Sequence, residues 1–323
     1  FCLNILQIFF SLFGLKYDPD RSKLLSKYYS WKIKKKLKNK YDFIFIHESN
    51  LASYLRTKIP IILWTDITFS LYKDTYLKNI SLNNKQGLKL EKLAYKNLSK
   101  IIYTSDWVIK DLKKKSYYNK KKFFKIPLGS NFPSKKSPYK KNKKSLKQIN
   151  LLSIGIDWER KGFKKTILVN EEVNKLGVNS FLNIVGPNIE NYDMNLKKVI
   201  IHKFLDKNHP IDSVKLKRLF LKSHYFILLS KVEAHGLVLI EASAFGLPKI
   251  VNNIGGMTSL VKNNKDGLIF NINESPKKIA KKIVENFYKK KRYKYYSKNS
   301  YQLYKNLLNK RSITNNLIKI MKS

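Results

Sequence analysis

"YFILLSKVEAHGLVLIEASAFGLPKIVNN", residues 225–253, compresses a strand, a helix and a second strand into one short span. Tyr225 to Ser230 is an unbroken apolar, β-prone run, the pattern of a strand buried on both faces. Lys231 to His235 form a loop, and Gly236 stands where a helix begins. Gly246, Leu247 and Pro248 end that helix, because glycine accepts a left-handed cap and proline cannot continue the turn. The spacing predicts a helix over 237–245. Its leading amides, from Leu237 and Val238, lack acceptors within the helix and sit at the positive end of the dipole, which suits a phosphate. Gly236 would let that phosphate approach the backbone. Glu233 then falls in the loop before the helix, and Glu241 lies one turn inside, where its two oxygens suit a vicinal diol such as ribose.

The same alternation extends outward. "INLLSIG", "FLNIVG", "KVIIHKFL" and "GLIFNI" read as further strands, with a helix over about 211–222 and two or three lysine-rich helices from 274 to 323. Toward the N-terminus, "YDFIFIH" ends at His47, "IPIILWTD" at Asp66, "KIIYTSD" near Ser105 and "FFKIPLGSN" in a glycine turn, with helices over about 21–40 and 83–99. Strands that end in polar residues and alternate with helices define open parallel sheets, whose carboxyl ends face ligands. "PSKKSPYKKNKKSLK", residues 133–147, has almost nothing to bury and reads as a linker. The expected fold class is α/β, with two Rossmann-like domains over 1–132 and 148–304 and a last helix over 305–323.

Composition narrows the function classes. With 323 residues, 43% hydrophobic, the chain has apolar surface for two cores. One cysteine excludes a disulfide framework and a cysteine-based zinc cluster, and fits a reducing, cytoplasmic setting. The formal charge of +44 raises a nucleic-acid or anionic-membrane reading, but only six of the 66 basic residues are arginine. Phosphate and base-edge recognition favours the guanidinium fork, so a solvated lysine surface is the expected reading and no nucleic-acid partner is expected. Attraction to an anionic bilayer is the alternative. "FCLNILQIFFSLFGL" at the start is shorter than the ~20 residues a membrane span needs and reads as a buried or interfacial helix.

A second cluster lies in "LLSIGIDWERKGF", residues 151–163, a strand followed by a loop with adjacent Arg160 and Lys161 before Gly162 opens the next helix. Two cations there suit a diphosphate leaving group. No histidine spacing defends a metal site, and none is expected.

These stretches resemble the retaining glycosyltransferases of the GT-B fold, family four. "EAHGLVLIEASAFGLP" is similar to that family's paired-glutamate motif, "SIGIDWERKG" to its glycine-to-lysine-glycine loop and "VNNIGGMTSLV" to its glycine-pair loop. "DGLIF", "IHESN", "IYTSDW" and "IPLGSN" match further signatures. The resemblance implies two domains facing a cleft and transfer of a sugar from a nucleotide-diphosphate sugar to an acceptor hydroxyl, with anomeric configuration kept and no obligatory cofactor or metal. The acceptor would be a glycan, a lipid-linked molecule or a small molecule. Arg160 and Lys161 would bind the diphosphate, with Gly155 at the start of their loop. Glu233 would contact the sugar beside the Gly236, Leu237 and Val238 backbone, and Glu241 the ribose. Asp66 and His47, each ending a strand, could face the cleft with the donor-binding residues, Asp66 near a position where other members place a polar residue close to the sugar, and the last helix would return to the first domain. Two departures stand out. Ile156 occupies a position where many members carry arginine, and the first βα unit with its glycine-rich loop has no counterpart, which implies a truncated N-terminal domain. An inactive nucleotide-sugar-binding relative and a basic surface-binding protein are the competing expectations.

Overall fold

The computed structural model describes residues 2–37, 41–77, 81–116, 119–130, 132, 147–187 and 196–323. They form two compact units, residues 1–127 and 128–323. The linker expected at 133–147 lies, except for Lys147, outside the described residues. Residues 305–323, expected to return to the first domain, cluster with the second unit.

The first unit carries a four-stranded sheet in the order β1-β2-β3-β4: β1 Ile44–Ile46, β2 Ile61–Thr65, β3 Lys100–Tyr103 and β4 Phe123–Lys125, all parallel. Its helices are α1 Cys2–Leu12, α2 Lys23–Lys36, α3 Phe69–Tyr76, α4 Asn84–Asn97 and α5 Asp106–Leu112. The core gathers Leu55, Leu63, Ala94, Ile101, Tyr103 and Val108. Glu91 of α4 is buried yet retained, because its carboxylate accepts the leading amides of α3, Phe69 N at 2.6 Å and Ser70 N at 3.4 Å. A carboxylate at the positive end of a helix satisfies donors that have no acceptor of their own. Burial still raises its pKa, with the two amide bonds opposing.

α1 corrects one expectation in part. It is a helix, but it is not buried: Ile5, Ile8, Phe9 and Leu12 are exposed, as are Phe13 and Leu15 just beyond it. Among the described residues no helix is long and apolar enough to cross a membrane.

The second unit carries a six-stranded parallel sheet in the order β10-β9-β8-β5-β6-β7. The strands are β5 Ile149–Ile154, β6 Ser180–Val185, β7 Val199–His202, β8 Tyr225–Leu228, β9 Lys249–Asn252 and β10 Gly267–Phe270. The helices are α6 Trp158–Lys161, α7 Phe163–Lys175, α8 Pro210–Lys222, α9 Leu237–Ala244, α10 Met257–Leu260, α11 Pro276–Tyr288, α12 Lys290–Leu303 and α13 Lys310–Lys322. One core cluster, with Phe163, Ile167, Ile283 and Phe287, covers one face of the sheet, and another, with Phe220, Leu239, Phe245 and Leu260, covers the other. Every residue of β8 and β9 is therefore buried, which explains the unbroken apolar run of β8 and the apolar Ile250 and Val251 at the centre of β9. β8 pairs with both β5 and β9, so the order of strands reverses direction at β5 and β8, the position where doubly wound sheets bind ligands.

Lys249 at the head of β9 is fully buried, and its ammonium donates to Asp266 at 2.8 Å, Ser243 Oγ at 2.8 Å and the Leu260 carbonyl at 3.0 Å. Burial lowers its pKa and Asp266 opposes that shift. All three ammonium donors are spent, and Asp266 Oδ1 also accepts the Lys262 amide at 2.6 Å.

Candidate functional site

The sequence-assigned cations and acid meet at the carboxyl ends of β5 and β8. Read from the sequence as a plain loop, the segment after β5 contains the one-turn helix α6, whose N-cap Asp157 accepts the Arg160 amide at 2.9 Å. Both cations of that turn, Arg160 and Lys161, reach the Glu233 carboxylate. Gly162 then serves twice, as the left-handed end of α6 and the start of α7.

Lys161 is largely buried, and its Nζ lies 2.5 Å from Glu233 Oε2 although 72 positions separate the two in sequence. Arg160 Nη1 stands 3.6 Å from the same oxygen and donates to the Val232 carbonyl at 3.4 Å. Asp157 anchors the guanidinium from behind, with Oδ2 3.3 Å from Nε. One carboxylate thus faces two cations at a sheltered strand end. Removal of water strengthens the electrostatic interactions among these groups.

Backbone packing fixes the cluster. A side chain on Gly155 would begin 2.6 Å from Lys161 Cγ, so the lysine stem crosses the space that only glycine leaves open. Gly255, at φ +50, would place a Cβ 1.9 Å from the Glu233 carbonyl oxygen, and the next amide, Gly256 N, donates to that oxygen at 3.2 Å. The glycine-pair loop therefore clamps the Glu233 backbone. Its motif is visible in the sequence, but its partner is not.

Gly236 takes φ +87 and caps α9, which spans Leu237–Ala244 as the spacing predicts to within one residue. Leu237 and Val238 lead the helix, so their amides have no intrahelical acceptor. Glu241 is fully buried in its second turn, and Oε1 is held by the Lys207 ammonium. Oε2 is buried and has no hydrogen-bond partner among the described residues. Burial raises the Glu241 pKa, and Lys207 opposes it. Lys207, on the segment between β7 and α8, carries no motif signal and was missed by sequence reasoning. Asp157 was missed too, although an Asp three residues before a helical amide is a legible cap.

His235 is buried with Nε2 accepting the Leu128 amide at 3.2 Å. Burial depresses its pKa to about 4. Ile156 is exposed and makes no phosphate-binding group available at that position. Asp66 and His47 lie on the first unit, at the carboxyl ends of the adjacent strands β2 and β1. His47 is exposed, with Nδ1 2.7 Å from the Trp64 carbonyl, and Asp66 is half-buried.

Cavities of about 390–420 Å³ open on the second unit beside Trp158, Gly162 and Leu229, adjoining the cation turn, and farther off beside Arg218 and Lys222 and beside Glu171 and Lys197. None is lined by Glu233 or Glu241. The charge arrangement, and not cavity size, marks the candidate site. Among the described residues no group of acids, histidines and cysteines is placed to hold a metal ion.

Two parallel-sheet α/β units, the second with cations and a bare helix start at its strand ends, are the GT-B architecture of glycosyltransferases. The chain belongs to the family described as glycosyl transferases group 1, whose sequence pattern matches residues 135–303, just over half of its length. It is 24% identical over 147 residues to an uncharacterized 41.2 kDa protein of the cps region of Klebsiella pneumoniae, covering 45% of this chain and 37% of that protein. It is 40% identical over 82 residues to the UDP-Gal:alpha-D-GlcNAc-diphosphoundecaprenol alpha-1,3-galactosyltransferase of Escherichia coli, covering 25% of this chain and 19% of that enzyme. Both matches span well under two thirds of the relative's own length. The crystal structure of Anabaena HepE in complex with UDP and glucose shares the fold, with TM-score 0.66 at 14% identity over 94% of this chain and 83% of that one.

Proposed function

We propose that this glycosyltransferase moves a hexose from a nucleoside-diphosphate sugar to an acceptor hydroxyl with retention of anomeric configuration, as a member of glycosyltransferase family four. The observation that carries the reading is the convergence of Arg160, Lys161 and Glu233 at the strand ends. Arg160 and Lys161 bind the diphosphate, and the Leu237 and Val238 amides add the positive end of α9. Glu241 accepts the ribose hydroxyls, and Glu233 positions the sugar and stabilises positive charge at its reacting carbon. The bond from that carbon to the β-phosphate oxygen breaks, the acceptor oxygen bonds on the same face, and the acceptor proton passes to the departing phosphate. Positioning and charge suffice for this, so the reading asks for no cofactor or metal.

UDP is the nucleotide to test first, since the E. coli relative is named for UDP-Gal and the Anabaena structure holds UDP. On the first unit, Asp66 and His47, at the ends of adjacent strands of one sheet, are proposed to take part in donor binding, Asp66 near the sugar. A glycan, lipid-linked or small-molecule acceptor fits equally. A single cysteine in the whole chain supports a cytoplasmic setting. Peripheral binding to an anionic bilayer is part of the proposal, supported by exposed Ile8, Phe9 and Leu12 on α1 and by lysines 27, 32 and 35 on α2.

The test is release of nucleoside diphosphate and sugar transfer from UDP-galactose, UDP-glucose, UDP-N-acetylglucosamine and GDP-mannose by the parent and by Glu233→Gln and Lys161→Ala. Turnover in the parent and its loss in both variants supports the assignment; unchanged turnover in both removes it. Donor binding without turnover in the parent would identify an inactive relative. Sedimentation with phosphatidylglycerol vesicles, compared with neutral vesicles, tests the membrane component.

A further inference from the structure

We propose that Lys207 is a donor-binding residue, which with Glu241 forms the wall that holds the ribose of the nucleotide; this rests on the donor reading above. Among the described residues the second unit contains two ion pairs with a fully buried member, and their geometry differs. In Lys249–Asp266 both partners are sealed and every ammonium donor is spent on Asp266, Ser243 and Leu260. That pair is closed, as a structural pair must be to offset desolvation. Lys207–Glu241 is open. The Glu241 side chain has no exposure, yet the Lys207 side chain keeps 28% of its own. Oε1 is engaged and Oε2, also buried, has no donor among the described residues.

A buried acceptor left without a donor carries its full desolvation cost, and native structures retain one where something else satisfies it. A vicinal diol offers two hydroxyl donors to a single carboxylate, so one hydroxyl can meet Oε2 while the other shares Oε1 with the ammonium. The ammonium has three donors, of which the Glu241 contact uses one, leaving it able to reach an oxygen of the ligand.

Lys207 is also held for this task by its segment. Asp206 N donates to Asp212 Oδ2 at 3.2 Å, Asn208 N to Asp206 Oδ1 at 2.9 Å and His209 N to the Asp206 carbonyl at 3.1 Å. These bonds engage the two nearest acids, Asp206 and Asp212. Lys207 instead reaches across 34 positions of sequence to Glu241. A lysine that only needed a surface counter-ion would have had one next to it.

The test is calorimetric titration of UDP, GDP and ADP, each with its 2′-deoxy counterpart, into the parent and into Lys207→Met, Lys207→Arg and Glu241→Gln, with thermal unfolding midpoints measured alongside. Loss of a charge-assisted contact predicts that Lys207→Met weakens binding of the preferred ribonucleotide about tenfold to a hundredfold, and its 2′-deoxy form less than about threefold. Lys207→Arg recovers most of the loss. A merely structural lysine would shift the unfolding midpoint without changing the ratio of ribo- to deoxynucleotide affinity, and that result overturns the proposal. Equal weakening of both nucleotides overturns it as well. If Lys207→Met does not fold, Lys207→Gln, which keeps a donor to Oε1, carries the same comparison. Parent protein that binds none of the three nucleotides sinks the donor reading itself; parent binding with an unaltered ratio in the variants sinks only the role of Lys207.

Discussion

Gly155→Ala isolates the placement of one ammonium from the chemistry of the residues that surround it. The new methyl would begin 2.6 Å from Lys161 Cγ and 3.0 Å from Cδ and Cε, against an ordinary contact distance of 3.4–4 Å. Gly155 does not sit in the left-handed region, so alanine is acceptable to the backbone and the clash falls on the lysine stem. That stem must move by about 1 Å, and a misplacement of this size in a catalytic constellation can cost about 100-fold in rate. Folding should suffer less than turnover, because the clash falls on the Lys161 stem and on no apolar core side chain. The assay is nucleoside diphosphate release from the preferred donor, with donor affinity by calorimetry and the unfolding midpoint as controls. Turnover within twofold of the parent at an unchanged midpoint would show that Lys161 does not act from the position seen here, and would refute the reasoning.

Other consequences follow from the same geometry. His235 resists protonation until about pH 4 in the folded state, whereas its unfolded value is 6.5. Its contribution is complete above the unfolded value and is lost as pH falls toward 4; at roughly 3 kcal/mol it should appear in urea unfolding measured across pH, and His235→Gln should flatten that slope. Asp266→Asn leaves the Lys249 charge buried without its counter-ion and should cost about 3–5 kcal/mol in chemical denaturation, with no selective effect on nucleotide affinity at matched folded fraction. Gly255→Ala would drive a Cβ to 1.9 Å from the Glu233 carbonyl and should abolish turnover. Gly177→Ala, also at positive φ but with nothing within 4 Å, should cost only about 1 kcal/mol of stability and leave turnover intact.

Much of the second unit was legible before any coordinates. β8, α9 and β9 fall where apolar runs, Gly236 and the Gly246–Pro248 stop place them, because these signals act within a few residues. α6 was not, since a single helical turn carries no periodicity and only its Asp157 cap betrays it. The exposure of α1 was not legible either: its apolar sequence fits burial and interface equally, and only the surrounding structure says which residues lack neighbours.

The sequence alone determined the alternation of strands and helices, the glycine that opens α9 and the residue types at each strand end. The strand order β10-β9-β8-β5-β6-β7 decided the rest. By pairing β5 with β8 it brings Lys161 onto Glu233, and only the folded second unit joins Lys207 to Glu241. Local propensity acts over a turn or two of chain, whereas the field at a buried carboxylate depends on which charges tertiary packing brings within a few ångströms, and no spacing along the chain encodes that distance.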